Sequence, residues 1–113
     1  PSRRKALESM GLDLEVIDDE IRSDLGLGDK FEGVVVSQIG FGSPGDRAGL
    51  TRGDVILEVN RKPIKTIDVF LAAVADKKPY LLRVRRPGSR GQEAYLVVTL
   101  DLSDKSNEDD GEE

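Results

Sequence analysis

The segment from Gly42 to Asn60, GSPGDRAGLTRGDVILEVN, constrains the fold of this chain more tightly than any other. The hydroxyl of Ser43 is suited to capping a helix, and Pro44 is suited to the first helical position, where no N–H is needed. Gly49 can take the left-handed conformation that ends a helix, which leaves room for a short one only. The segment therefore predicts a short helix, a tight turn and then a strand over residues 54–59.

Hydrophobic periodicity predicts four further strands. Leu12, Leu14 and Val16 alternate with acidic residues, which indicates a strand near residues 10–17 with one buried face. The nearly continuous β-branched run over 33–39 is typical of a central strand. Residues 80–86 and 94–100 read as a closing hairpin, because the loop between them is rich in turn residues.

Two main helices are expected beside the short one. The first covers residues 19–25, with acidic residues in its first turn and Gly26 as a stop. The second follows Thr66 as a cap and ends before Pro79. Its apolar residues recur at helical spacing: Ile67, Phe70, Leu71 and Val74. The predicted fold class is α+β, a small, partly open, five-stranded antiparallel barrel or sandwich with these helices packed on it.

The 113 residues have room for one domain. We expect residues 1–8 to be a polar lead-in or linker, with the basic run Ser2–Lys5 as a frayed terminus. The folded domain is expected over residues 9–102. Residues 103–113 are acidic and almost devoid of apolar side chains, which predicts a disordered tail.

Composition excludes several classes of function. The chain holds no His, so a Ser-His-Asp triad cannot form within it, and we expect no catalytic residues in this segment. It holds no Cys, and neither metal ligands nor a cofactor site is predicted. A net charge of -5 argues against nucleic acid as a partner. No apolar run approaches the length needed for membrane insertion.

The segment from Gly42 resembles the signature of PDZ domains in bacterial HtrA-type (DegP-, DegQ- or MucD-like) serine proteases. The shared elements are Gly-Ser-Pro, Ala-Gly-Leu, Gly-Asp-x-Ile and an Asn-Gly turn, in which Arg61 replaces the usual Gly. The resemblance covers about residues 9–100. It implies a PDZ-type fold, a periplasmic or envelope location, and a parent protein that is a serine endopeptidase, of which this is the C-terminal PDZ domain.

The resemblance also implies a binding site. PDZ domains add a peptide C-terminus as an extra strand beside an edge strand. Met10, Gly11 and Leu12 resemble the family's hydrophobic-Gly-hydrophobic carboxylate-binding loop. The expected groove residues are Leu14, Ile67, Phe70, Leu71 and Val74. Periodicity alone would instead assign Phe70 and Val74 to the core.

Several functional alternatives remain open. The expected partners are C-terminal or unfolded peptide segments with hydrophobic ends, together with the protease domain and neighbouring subunits of the parent. The domain would then serve substrate recognition or regulation of the protease. Alternatively, it would serve packing within an oligomer, or belong to another envelope protease or secretion component. Asp13 and Glu15 are expected to point away from the groove, either as edge protection or, with Asp68, as a preference for basic residues upstream in a ligand.

Overall fold

The computed structural model describes residues 2–28, 31–88 and 92–103. Four helices lie within these ranges: Ser2–Met10 (α1), Asp19–Leu25 (α2), Pro44–Arg47 (α3) and Ile67–Ala73 (α4). Six strands accompany them: Leu12–Val16 (β1), Val34–Ile39 (β2), Val55–Val59 (β3), Lys62–Pro63 (β4), Pro79–Pro87 (β5) and Glu93–Asp101 (β6). None of the helices in these ranges is long and apolar enough to span a bilayer.

The strands form one antiparallel sheet in the order β1-β2-β3-β5-β6, and the short β4 pairs with β3. The α+β class and the open antiparallel sheet agree with the sequence prediction. The short β4, which makes six strands rather than five, arises because Asn60 and Arg61 both adopt positive φ, at 49° and 73°. Two such residues make the tight turn that folds the chain back onto β3.

Apolar residues bury on both faces of the sheet. The main core gathers the inward residues of β1, β2, β3 and β5 against α1 and α4, with Phe70 fully buried at its centre. A second, smaller cluster on the opposite face consists of Ile17, Val35 and Val55, with Ile21 and Phe31 packed against it. The sheet is thus anchored from both sides, which fixes its register because a one-residue slip would reverse both faces.

The helix caps that the sequence predicted at Ser43 and Thr66 are present, and Asp18 provides a third. The Ser43 hydroxyl accepts a hydrogen bond from Asp46 N, and Thr66 Oγ1 accepts one from Val69 N, at 3.1 Å in each case. Asp18 Oδ1 caps α2 by accepting from Ile21 N at 2.9 Å. Each cap satisfies an amide that has no partner within its own helix.

The N-terminus differs from the expected polar lead-in over residues 1–8. Residues from Ser2 to Met10 form α1, and Leu7 and Met10 are buried in the main core. These two side chains share a helical face because they are three residues apart. The expected tail lies outside the described residues from 104 onward.

A buried ion pair ties the turn after α3 to β5. The Asp54 carboxylate has no exposed surface and accepts two hydrogen bonds from the Arg86 guanidinium, from Nε at 2.9 Å and Nη2 at 2.8 Å. It also accepts from Thr51 N at 2.9 Å and Thr51 Oγ1 at 3.0 Å. Arg86 Nη2 further donates to Gly49 O at 2.7 Å. All four carboxylate contacts are short enough to satisfy a buried charge.

The hydrogen bonds from Arg86 to Asp54 raise the pKa of the guanidinium above its ordinary value, against a smaller opposing effect of burial. A group with a raised pKa stabilises the fold fully below its unfolded pKa, and this contribution is lost only as the pH rises through the folded pKa. For an arginine that range lies far above neutrality. The contribution of the Arg86 guanidinium to the stability of the fold is therefore retained at all pH values near neutrality.

Replacing Arg86 by Ala leaves the Asp54 carboxylate buried without its cationic partner. We expect the free energy of unfolding to fall by about 3 kcal/mol, the low end for a broken buried pair, because the guanidinium itself keeps part of its surface in water. Urea denaturation measures this. Arg83→Ala is the matched control, since Arg83 is exposed on the same strand and lies 5.8 Å from the Tyr95 ring. Its loss should cost below about 1 kcal/mol, and equal losses would contradict the role of the pair.

Candidate functional site

A cavity of about 830 Å³ opens between α1, β1 and α4. Four of the residues expected at a binding site line it, namely Gly11, Leu12, Leu14 and Ile67. The size is that of a ligand-binding cleft rather than of a packing defect.

The other expected site residues lie elsewhere. Met10, Phe70 and Val74 are buried in the main core, and Leu71 packs against it half-buried. None of the four lines the cavity. Leu12 and Leu14 belong to both places, because they are core members whose surfaces also reach the cavity wall.

Sequence reasoning missed the contribution of α1 and of the end of β2. The additional lining residues are Arg4, Leu7, Glu8, Asp13, Gln38, Ile39 and Gly40. The signal for α1 was present in the sequence as the spacing of Ala6, Leu7 and Met10, followed by Gly11 in a helix-ending position. Arg4 of α1 adds an exposed positive charge to the lining of the cavity.

Gly11 joins α1 to β1 in a left-handed conformation with φ of 71°. Its N–H donates to Glu8 O at 3.0 Å, which closes the last turn of α1, and its carbonyl accepts from Gly40 N at 2.7 Å. A Cβ at this position would overlap the Cβ and Oγ of Ser43. Only glycine suits this junction, both for its backbone angle and for its closeness to the α3 cap.

The outer edge of β1 has no strand partner among the described residues, since β1 stands at one end of the sheet order. Gly11 O bonds to Gly40, and Ile17 N donates to Gly33 O at 3.4 Å, so both residues direct their polar groups to the β2 side. Backbone groups alternate in direction along a strand. Leu12, Leu14 and Val16 therefore direct their N–H and C=O groups to the open edge.

The site thus combines an unpaired strand edge with a cleft beside it, and both apolar and charged residues line that cleft. The cleft is bounded by Ile67 of α4 and closes at the Gly11 junction. An extended chain laid along β1 would gain main-chain hydrogen bonds from the edge, and every second side chain would enter the cleft. No cluster of His, Cys, Asp and Glu suited to a metal ion occurs in the part of the chain that the structure describes.

Comparison with known proteins agrees with this geometry. Residues 35–86 match the model of a PDZ domain. A solved structure of the HtrA3 PDZ domain, bound to a phage-derived ligand (FGRWV), superposes with a TM-score of 0.68 and 26% sequence identity, covering 81% of both chains. This chain belongs to the PDZ domain family. The protein-sequence relatives place it with the PDZ domains of HtrA-type proteases.

One such relative is a probable periplasmic serine endoprotease, DegP-like, of Chlamydia pneumoniae, which is 31% identical over 98 residues. The match covers 87% of this chain and 20% of the relative, so the chain spans about a fifth of that protein's length. The HtrA-type protease AlgW, solved with a decapeptide, shares the fold with a TM-score of 0.64 at 24% identity, over 83% of this chain and 28% of that one.

Two glycines with nearly equal backbone angles test the Gly11 junction. Gly42 has φ of 75° and open space where a Cβ would lie, whereas at Gly11 the Ser43 side chain occupies that space. We expect Gly42→Ala to cost about 1 kcal/mol of unfolding free energy, from backbone strain alone, and Gly11→Ala about 3 kcal/mol, because overlap adds to strain. Urea denaturation of both variants gives the comparison. Equal costs would show that Ser43 does not constrain the junction.

Proposed function

We propose that this PDZ domain captures the C-terminal segment of a peptide or unfolded protein by adding it as a strand to the open edge of β1. The observation that carries the proposal is the unpaired edge at Leu12, Leu14 and Val16, directly beside a cleft that has an apolar wall. The terminal carboxylate would lie at the Gly11 junction, where the Leu12 N–H faces the open edge.

A ligand with a hydrophobic terminal residue suits the cleft wall. Leu7, Leu12 and Leu14 supply that wall, with Ile67 across the cleft. The ligand of the HtrA3 PDZ domain, FGRWV, likewise ends in an apolar residue. We extend the same class of ligand to this chain, with Met10, Phe70, Leu71 and Val74 supporting the cleft from the core behind it.

The domain would serve substrate recognition or regulation in a parent protein of the HtrA type. The relatives in Chlamydia and Salmonella are named periplasmic serine endoproteases, and the matched segment is a small part of each. A serine endopeptidase in the periplasm is therefore the parent that we propose. The catalytic residues would lie outside this chain, which has no His to complete a triad.

One observation favours a second function, packing within the oligomer of the parent. Gly11 N–H is already bonded to Glu8 O, and Leu7 and Glu8 of α1 line the cleft, so one amide that a carboxylate would need already has a partner within the chain. Such an occupied junction suits a surface that docks on neighbouring subunits rather than on substrate. Peptide binding separates the two functions.

The test is fluorescence anisotropy with a ten-residue peptide ending in Val, as the free acid and as the C-terminal amide. We expect the free acid to bind and the amide to lose most of its affinity, because a neutral amide cannot use an anion cradle. N-methylation supplies the control for strand addition. By alternation, the N–H of the third residue from the end faces β1 and that of the second faces away.

Methylating the third amide should therefore abolish binding, while methylating the second should leave it nearly unchanged. Equal effects of the two modifications would contradict strand addition. If none of the peptides binds, the packing function is favoured instead.

Arg4 provides a test of the charge that α1 brings to the cleft. Arg4 lines the cleft, while the neighbouring Lys5 is exposed and does not. We expect Arg4→Gln to weaken the free-acid peptide by about threefold to tenfold, because one partly exposed charge interaction is removed. Lys5→Gln removes the same charge one residue away. Equal losses in the two variants would show that Arg4 acts only through net charge.

A further inference from the structure

An acidic surface borders the open edge of β1. Residues 13–24 hold six acidic residues and one basic residue, Arg22, which pairs with Asp19 at 2.9 Å. Asp13 and Glu15 are exposed on β1 itself. Neither of these two carboxylates makes an ion pair or a side-chain hydrogen bond with any residue that the structure describes. They are therefore available to a ligand.

The register of an added strand follows from the edge. Leu12 and Leu14 direct their polar groups outward, and an antiparallel ligand with its carboxylate at Gly11 runs back along β1 towards Val16. If its last residue lies opposite Leu12, its third from last lies opposite Leu14. The second and fourth residues from its end then lie opposite Asp13 and Glu15.

Side chains directly opposite each other in an antiparallel pair lie on the same face and within reach of each other. The ligand's last and third side chains would share the face of Leu12 and Leu14, in the cleft. Its second and fourth would share the outer face with Asp13 and Glu15. An opposite charge in these outer positions is favourable, and a like charge is unfavourable.

Two cations lie near these carboxylates, Arg4 in the cleft that Asp13 also lines and Arg52 beside Glu15, and neither forms an ion pair with them among the described residues. The residue paired with Asp13 on β2 is Gln38, and the residue paired with Glu15 is Val35, so both are uncharged. Arg52 is the one base lining the small cavity that Glu15 and Asp24 also line, and it forms no ion pair with either among the described residues.

We infer that Asp13 and Glu15 select ligands with Lys or Arg at the second and fourth positions from a hydrophobic C-terminus. The inference rests on the proposed function and gives that site its charge preference. The ligand class is a basic, hydrophobic-ended C-terminal peptide. Its upstream residues would continue towards the acidic first turn of α2, which adds long-range attraction at low ionic strength.

The experiment uses Val-terminated peptides that differ only at the second and fourth positions. Three of them carry Lys, Ser or Glu at both positions, and two more carry Lys at one position and Ser at the other. At low salt we expect the Lys peptide to bind about threefold to tenfold more tightly than the Ser peptide, and the Glu peptide to bind more weakly than either. Added salt should reduce the spread.

Two variants, each of which neutralises one carboxylate, show which residue acts on which position of the ligand. Asp13→Asn should remove the Lys preference at the second position only, and Glu15→Gln that at the fourth only. Both side chains are exposed, so folding should be preserved. Thr99→Lys changes net charge by the same amount on β6, at the opposite end of the sheet order, and is the matched control.

The inference is overturned if the Lys, Ser and Glu peptides bind equally, or if each neutral variant lowers the preference at both positions alike. If the Ser peptide itself does not bind, then the proposed function has failed, and that outcome is distinct from equal binding of all three.

Discussion

The arrangement of the whole sheet depends on one fully buried carboxylate. Asp54 accepts hydrogen bonds from Thr51, three residues before it, and from Arg86 on β5, which is distant from both along the chain. The backbone next to it is bound as well, since Val36 N donates to Asp54 O and Gly53 N donates to Val36 O, both at 2.8 Å. One residue thereby holds the turn, the central strand β2 and the strand β5 in a single arrangement.

That arrangement determines where the cleft lies. The turn anchored by Asp54 delivers β3 to the middle of the sheet, and β3 pairs with β2, whose other side holds β1 at the edge. The short helix α3 precedes the same turn and sets Ser43 against Gly11. The Gly11 end of the cleft therefore packs against the segment that carries the family's signature, although the two lie about thirty residues apart in sequence.

The fold was largely readable from sequence because its elements are short and locally specified. Ser43, Pro44 and Thr66 act as caps or first residues where their chemistry predicts, and strand alternation found β1. The α1 helix was missed because its apolar contacts are few and lie within a polar terminus. The pairing of Asp54 with Arg86 was also invisible, since no local pattern links residues on different strands. Core and cleft could not be separated by periodicity, because Leu12 and Leu14 serve both.

Gly11 N–H belongs to the end of α1, and under the proposed function the same N–H belongs to the carboxylate cradle. A ligand that accepts a hydrogen bond from this N–H must replace the Glu8 carbonyl as its partner. The measured affinity is then the intrinsic affinity multiplied by the fraction of molecules in which the last turn of α1 is open. Under the proposed function, a substitution that stabilises or loosens the last turn of α1 would then change the binding affinity even where the substituted residue does not contact the ligand. The free energy of a single helical turn would set the affinity of the groove.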